Sequence, residues 1–210
     1  MSEYDHEPIR GLPGDLPAGE QILWQGAPDR RVCARSALMT RWIGGYFAVL
    51  AAVSLASGSV TGAAATALSG ALGLGLLHLF AWAVASTSVY TLTNRRVVLR
   101  IGVALNSCIN LPLKQIAAAD LRDRGAGFGD IALVLKGPHR LGYAMLWPHA
   151  RPFRFGAPVP MLRALPDAQE AARRLAMACA AVTEIARTAA EAGLPAPAPA
   201  AAVPLREVAA

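Results

Sequence analysis

Charge is what this sequence has least of. Only 16% of its 210 residues are Asp, Glu, Lys or Arg, whereas 54% are hydrophobic and the mean hydropathy is +0.38. A soluble domain carries about a quarter charged residues, so the shortage argues against an ordinary solvated globule and for a membrane. Cysteine is scarce too: Cys33, Cys108 and Cys179 lie far apart, odd in number and without a C-x-x-C pair. That leaves no legible disulfide framework or zinc knuckle, and reduced, packing thiols in a cytoplasmic domain are expected. The opening MSEYDHEPIRGLPGDLPAGE is polar and partly acidic, which is not the character of a secretory signal. Pro8, Pro13 and Pro17 make it read as an extended arm that orders on docking.

Catalytic constellations are missing as well. GAGFGD, residues 125–130, falls between two strand-like stretches and opens no helix. It lacks the dipole and amide cradle of a phosphate loop and reads as a turn. His6, His139 and His149 stand alone, without cysteine or carboxylate at ligand spacing, so no metal centre is expected. No serine occupies a nucleophile elbow. Asp120, Arg122, Asp123 and Arg124 form a mixed cluster that reads as a solvated strand edge. A non-enzymatic module is expected. The net charge of +6, with pI near 9.8, suits nucleic acid or an anionic lipid surface. The arginines flank an apolar run and are not interleaved with aromatics, so nucleic acid has no support.

What the chain does have is one long uncharged passage. From Trp42 to Asn94 there is no Asp, Glu, Lys or Arg, about 50 residues against the ~20 that one helical crossing needs. SGSVTG, residues 57–62, interrupts it with turn residues, which predicts two crossings near 42–60 and 64–84. Arg30, Arg31, Arg35 and Arg41 precede the first; Arg95, Arg96 and Arg100 follow the second; the connecting loop has no charge. The positive-inside rule then places both termini in the cytoplasm. Trp42 and Tyr46 at entry, and Trp82 and Tyr90 at exit, read as membrane-interface anchors. Arg41, Arg95, Arg96 and Arg100 read as contacts for lipid headgroups or a partner, each worth on the order of 1 kcal/mol at an anionic surface.

The two crossings also carry small residues every fourth position: Gly44, Ala48, Ala52 and Ala56, then Ala63, Ala67, Ala71 and Gly75. Such stripes let helices approach closely in lipid, and they serve packing within the hairpin or a homodimer equally well. His78 is the one titratable side chain inside the spans. An intramembrane ionisable group is a functional candidate, and a neutral imidazole can ligate a metal such as the magnesium of a chlorin. An interhelical hydrogen bond is the plainer alternative.

After Ser86 the period changes to two. RRVVLRI sets Val97, Leu99 and Ile101 on one face against Arg96 and Arg100 on the other, a half-buried antiparallel strand. TNR is its turn, so a β-hairpin leaves the membrane first. SCINLPL (an edge, from Pro112), a weaker IAAADLRD, DIALVLKG, GYAMLW and RPFRF follow as strands. In the last two, Tyr143, Met145, Trp147, Phe153 and Phe155 are expected inward. Ala168 to Ile185 then has the apolar spacing of an amphipathic helix, with Asp167 and Glu170 placed as a capping box. The Ala/Pro-rich tail reads as disordered.

GEQILWQGAPD, YTLTNRRVVLRIGV, NLPLKQI and GFGDIALVL together resemble the bacterial PH-like domain of small membrane proteins. The resemblance implies a transmembrane α-hairpin plus an α+β PH-like small barrel or sandwich closed by a C-terminal helix. The layout is then a cytoplasmic arm with a short strand (1–41), a two-helix transmembrane hairpin (42–85), a cytoplasmic PH-like domain (86–190) and a tail (191–210). HEPIRGLPGDLPAGEQILWQGAPD with RIGVALNSCINLPLKQI is similar, more narrowly, to photosynthetic complex assembly proteins of purple bacteria. That likeness implies a non-enzymatic factor of the bacterial inner (intracytoplasmic) membrane. Its implied partners are reaction-centre subunits and light-harvesting polypeptides. A membrane scaffold for anionic headgroups, and a transient bacteriochlorophyll carrier using His78, are the rival expectations.

Overall fold

The structure is a computed structural model that describes residues 10–12, 14–103, 106–139 and 141–191, with the side chains of the last helix described to residue 185. The expected tail lies almost wholly outside these residues. The chain begins with strand β1 (Ile22–Gly26) and helix α1 (Arg30–Ser36), followed by a hairpin of α2 (Thr40–Ala56) and α3 (Val60–Thr87). Strands β2 (Val89–Thr93), β3 (Arg96–Ile101) and β4 (Ser107–Pro112) come next, then a 3-10 turn (Leu113–Gln115), β5 (Ile116–Gly125) and β6 (Phe128–Leu135). A short helix α4 (Tyr143–Leu146), strand β7 (Met161–Leu165) and the long helix α5 (Ala168–Glu191) complete it.

Local chemistry sets the helical part. The Asp29 carboxylate accepts from the Arg31 and Val32 amides, both at 2.9 Å, and so caps α1. Met39, at φ 52, turns the chain sharply, and α1 and α2 meet at 59°. Gly58, at φ 82, forms the hairpin tip, and Ser59 Oγ caps α3 through the Gly62 amide. Among the described residues α3 alone is long and apolar enough to cross a membrane, with 28 residues. At 17 residues α2 is shorter than the expected 42–60 crossing, because the polar Ser57–Ser59 tip ends it at Ala56. The expected second span 64–84 is extended at both ends.

The small-residue stripe is only partly in the contact. Gly44 lies against Leu74, but Ala48, Ala52, Ala67, Ala71 and Gly75 are exposed on the outer faces. Strict four-residue spacing rotates about 40° per step around a helix, so it walks off the seam. The residue that sets the close approach is Gly70, buried against Phe47, where any side chain would place its Cβ 2.7 Å from that of Phe47. Gly70→Leu should therefore splay the hairpin at a cost of about 1–3 kcal/mol, read as a lower unfolding temperature in detergent. Gly75→Leu, which meets open space, should be silent in the same assay.

The remaining chain forms two antiparallel sheets, β1-β2-β3-β4 and β5-β6-β7. Tyr90, Leu99, Ile131, Leu133, Leu146 and Leu165, all fully buried, join the sheets in one core. Helix α5 closes it with Ala168, Ala171, Leu175 and Ala178. The expected capping box does not form. Asp167, at φ 51, offers its carbonyl to the Glu170 and Ala171 amides, while the Glu170 carboxylate is held by Arg173 and Arg174.

The half-buried reading of β3 is also corrected. Val98 and Arg100, on its supposed solvent face, are 0% and 8% exposed. The N-terminal arm lies across that face: Gly11 abuts Val89, Gln25 Nε2 donates to Thr91 Oγ1 and to the Arg10 carbonyl, and Glu20 accepts from Thr93 Oγ1. GYAMLW is helix α4 and not a strand, burying Leu146 in place of Met145 and Trp147. RPFRF is not a strand either, and Phe153 and Phe155 face solvent. The strand that pairs with β6 is MLRAL, β7, whose five residues are all buried and so show no alternation.

Candidate functional site

The residues singled out from the sequence are spread over the hairpin, its junction with the sheets and the β2–β3 turn. Their roles divide. Arg41 and Arg95 are exposed. Arg96 is already engaged: its Nε and Nη2 donate to the two oxygens of Glu20 at 2.8 and 3.0 Å, and the Glu20 side chain is 1% exposed. Arg100 is buried beneath the arm, so neither it nor Arg96 is free to meet a headgroup as expected. Trp42 and Trp82 stand out from the helices at 80% and 51% exposure, and Tyr46 does likewise. Tyr90 is no interface anchor. It is wholly buried, because β2 turns its side chain into the core.

Tyr90 belongs instead to a polar chain that ties the hairpin to the sheets. Its hydroxyl accepts from the Arg163 amide at 3.3 Å and lies 2.6 Å from His149 Nδ1. The phenol proton finds its acceptor at Nδ1, which sets the tautomer: Nε2–H then donates to Ser88 Oγ at 3.1 Å. Ser88 follows the last turn of α3, so one imidazole links helix, β2 and the loop before β7. Burial, reinforced by the nearby Arg163 cation, lowers the His149 pKa to about 3 and keeps the ring neutral. Burial likewise pushes the Tyr90 phenol far up. Serine, histidine and tyrosine are within bonding reach, but all three are buried, so the cluster acts as a lock.

Asp130 extends the lock towards α1. One carboxylate oxygen accepts the Ala164 amide at 2.8 Å; the other accepts from Arg124 Nε at 2.7 Å and from Arg124 Nη2. The Ala164 carbonyl in turn accepts the Asp29 amide, at the cap of α1. Arg163 donates from Nη2 to the Ala150 carbonyl at 2.9 Å, while its Nε and Nη1 have no hydrogen-bond partner among the described residues. Cys33 on α1 packs beside Val84 and Ala164, and burial raises its thiol to about 11, so it is inert packing. Sequence reasoning left His149 and Asp130 as an isolated ring and a turn residue. Tyr90 is 59 residues from His149 and Ala164 is 34 from Asp130, and no local spacing announces either; only Arg124, six residues from Asp130, was near in the chain.

Two concavities stand out among the described residues. An open groove between the β5–β6 turn and the start of α5 is lined by Asp123, Phe128, Asp167 and Glu170. An apolar crevice of about 580 Å³ lies where α1, α2 and α3 meet, lined by Leu38, Trp42, Tyr46, Leu77, Phe80 and Trp147. Further along the hairpin, His78 is exposed, and its Nδ1 lies 2.8 Å from the Leu74 carbonyl of its own helix. No metal-holding group of His, Cys, Asp and Glu occurs among the described residues.

Residues 37–178, from just after α1 through the hairpin and strands β2 to β7 into α5, match the family described as the bacterial PH domain. The chain belongs to the bacterial PH domain family. Within this bacterial PH domain protein the matched span includes the helical hairpin as well as strands β2 to β7. A relative from Rhodobacter capsulatus, named an uncharacterized 23.7 kDa protein in the puhA 5′ region, is 41% identical over 189 residues. The match covers 85% of this chain and 88% of the relative. A solved structure from Shewanella loihica PV-4, of a DUF1696 family protein with a pleckstrin-homology domain, is 18% identical. It covers 44% of this chain and 70% of its own, at a TM-score of 0.30.

Proposed function

We propose that the chain is a membrane-anchored, non-enzymatic assembly factor for the photosynthetic reaction centre and its light-harvesting complex. The observation that carries the reading is the relative beside puhA, which places a 41% identical protein among photosynthesis genes. The N-terminal likeness to the assembly protein PuhB agrees with it. Both helices of the hairpin enter the inner membrane. The 17 residues of α2 rise about 26 Å, a few ångströms under the hydrocarbon thickness. A mismatch of that size costs fractions of a kcal/mol per ångström. With both termini cytoplasmic, the sheets are held at the membrane face, where they dock a reaction-centre subunit while pigment-bearing helices associate. The buried lock supports this geometry, since it makes helices and sheets a rigid platform.

Deleting the gene in a purple phototroph should lower mature reaction-centre absorbance while subunit transcripts stay unchanged, and the full chain should restore it. Normal complex levels in the deletion strain would remove the proposal. A pigment-carrier reading has one observation in its favour. The bond from His78 Nδ1 to the Leu74 carbonyl requires a proton on Nδ1, which leaves the Nε2 lone pair for a bacteriochlorophyll magnesium. Pigment that copurifies with the wild type and is lost in His78→Ala would support that reading; a colourless preparation would end it.

A further inference from the structure

We propose that the loop between α4 and β7 is a third membrane contact, which seats Phe153 and Phe155 in the cytoplasmic headgroup layer beside the hairpin. The proposal rests on the membrane placement of the hairpin given above. Among the described residues outside the hairpin, Phe153 and Phe155 are the most exposed large apolar side chains, at 79% and 66%. They are not loose ends of the core: Tyr143 packs on Phe155 with centroids 4.7 Å apart, which holds the ring outward. Two outward phenylalanines flanking an arginine are a poor match to water and a good one to a lipid interface, where aromatic and cationic groups collect.

Position singles out the lipid surface from other apolar partners. Trp147, at the start of the loop, stacks on Phe80 of α3 at 5.4 Å and 24°. It closes the same crevice as Trp42 and Tyr46, so the loop stands at the end of the hairpin where the uncharged passage gives way to Arg41. Trp147 thus ties the start of the loop to α3. Charge agrees. No Asp or Glu occurs from Ile131 to Pro166, while Arg151 and Arg154 lie in the loop. Arg154 is exposed, and Arg151 reaches Asp120 at 2.8 Å with both side chains about half in solvent. Anionic headgroups are the matching surface.

The test reads depth in the full chain, reconstituted in phosphatidylglycerol nanodiscs. Cys108→Ser and Cys179→Ala remove the accessible thiols, and buried Cys33 stays unlabelled. Gly156→Cys then carries an environment-sensitive fluorophore at a position where a side chain meets open space and both phenylalanines are kept. Asp123→Cys reports the β5–β6 turn, and Leu68→Cys the middle of the hairpin. The Gly156 probe should emit blue-shifted and be quenched several-fold more than the Asp123 probe by lipid nitroxides near the headgroup. Phe153→Ser with Phe155→Ser should abolish that difference. A Gly156 probe as wet as the Asp123 probe, with Leu68 in lipid, overturns the loop contact and leaves the hairpin reading standing. A wet Leu68 probe sinks the hairpin reading, and the loop contact with it.

Discussion

Asp130→Ala should cost about 3–5 kcal/mol of unfolding free energy, the range for stripping one partner from a buried ion pair. The Asp130 side chain is 0% exposed, pairs with Arg124 and acts electrostatically on the buried Arg163. Removing it strands both cations and the Ala164 amide together. Arg163 has no reserve, because its Nε and Nη1 already lack hydrogen-bond partners among the described residues, and burial already pulls its pKa down. The damage reaches the helical segment, since Ala164 sits at φ 51 and its carbonyl anchors the cap of α1. Asp130→Asn keeps an acceptor for Ala164 but not the charge, and should recover less than half of the loss. Denaturant titration of the full chain in detergent, followed by tryptophan emission, measures both. A loss below about 1 kcal/mol, the scale of a solvated surface pair, would mean that water reaches the cluster and that the lock does not hold the junction.

The parts legible in the sequence were those written in charge and period. The empty passage bounded by Arg41 and Arg95 marks the hairpin, Asn94 and Arg95 turn between β2 and β3, Ile109 and Leu111 alternate in β4, and the apolar stripe from Ala168 marks α5. What stayed hidden depended on contacts distant in the chain. The arm covers β2 and β3, so Arg100 looks like a surface residue in sequence and is buried in space. Strand β7 is buried on both faces and loses its alternation, whereas the aromatics of residues 147–155 imitate one. Tyr90 looked like an anchor because it follows the long apolar helix α3. Only His149, 59 residues on, shows why it turns inward.

These misreadings share a cause, and it bears on function. Two of them, Tyr90 and β7, concern residues that couple the helical segment to the sheets. Ser88 continues α3, His149 precedes the loop that carries Phe153, and the Ala164 carbonyl holds α1. An isolated soluble segment starting at residue 86 would lack β1, the arm and α1, and with them the edge of one sheet and the cover of β3. Binding measured on such a fragment would report exposed core as well as any docking surface, so the full chain is the unit to test.

Acid should loosen this junction in a window set by His149. Its folded pKa is depressed to about 3 from an ordinary 6.5, so between those values the unfolded chain takes up a proton that the folded chain refuses. Stability is then flat above pH 6.5 and falls as the pH drops below it, by about 1.4 kcal/mol for each pH unit. From pH 6.5 to 5 the expected loss is thus on the order of 2 kcal/mol. Glu170, whose carboxylate Arg173 and Arg174 hold down to about 2, titrates below this window. His149→Gln should lower stability at neutral pH, because Tyr90 and Ser88 lose their shared ring, yet flatten the slope between pH 6.5 and 5. Unfolding temperature measured across that range for both proteins gives the comparison. A wild-type profile as flat as the variant's would show that the imidazole is charged or hydrated in the folded chain, and the tautomer assigned to the Tyr90–His149–Ser88 chain would fall with it.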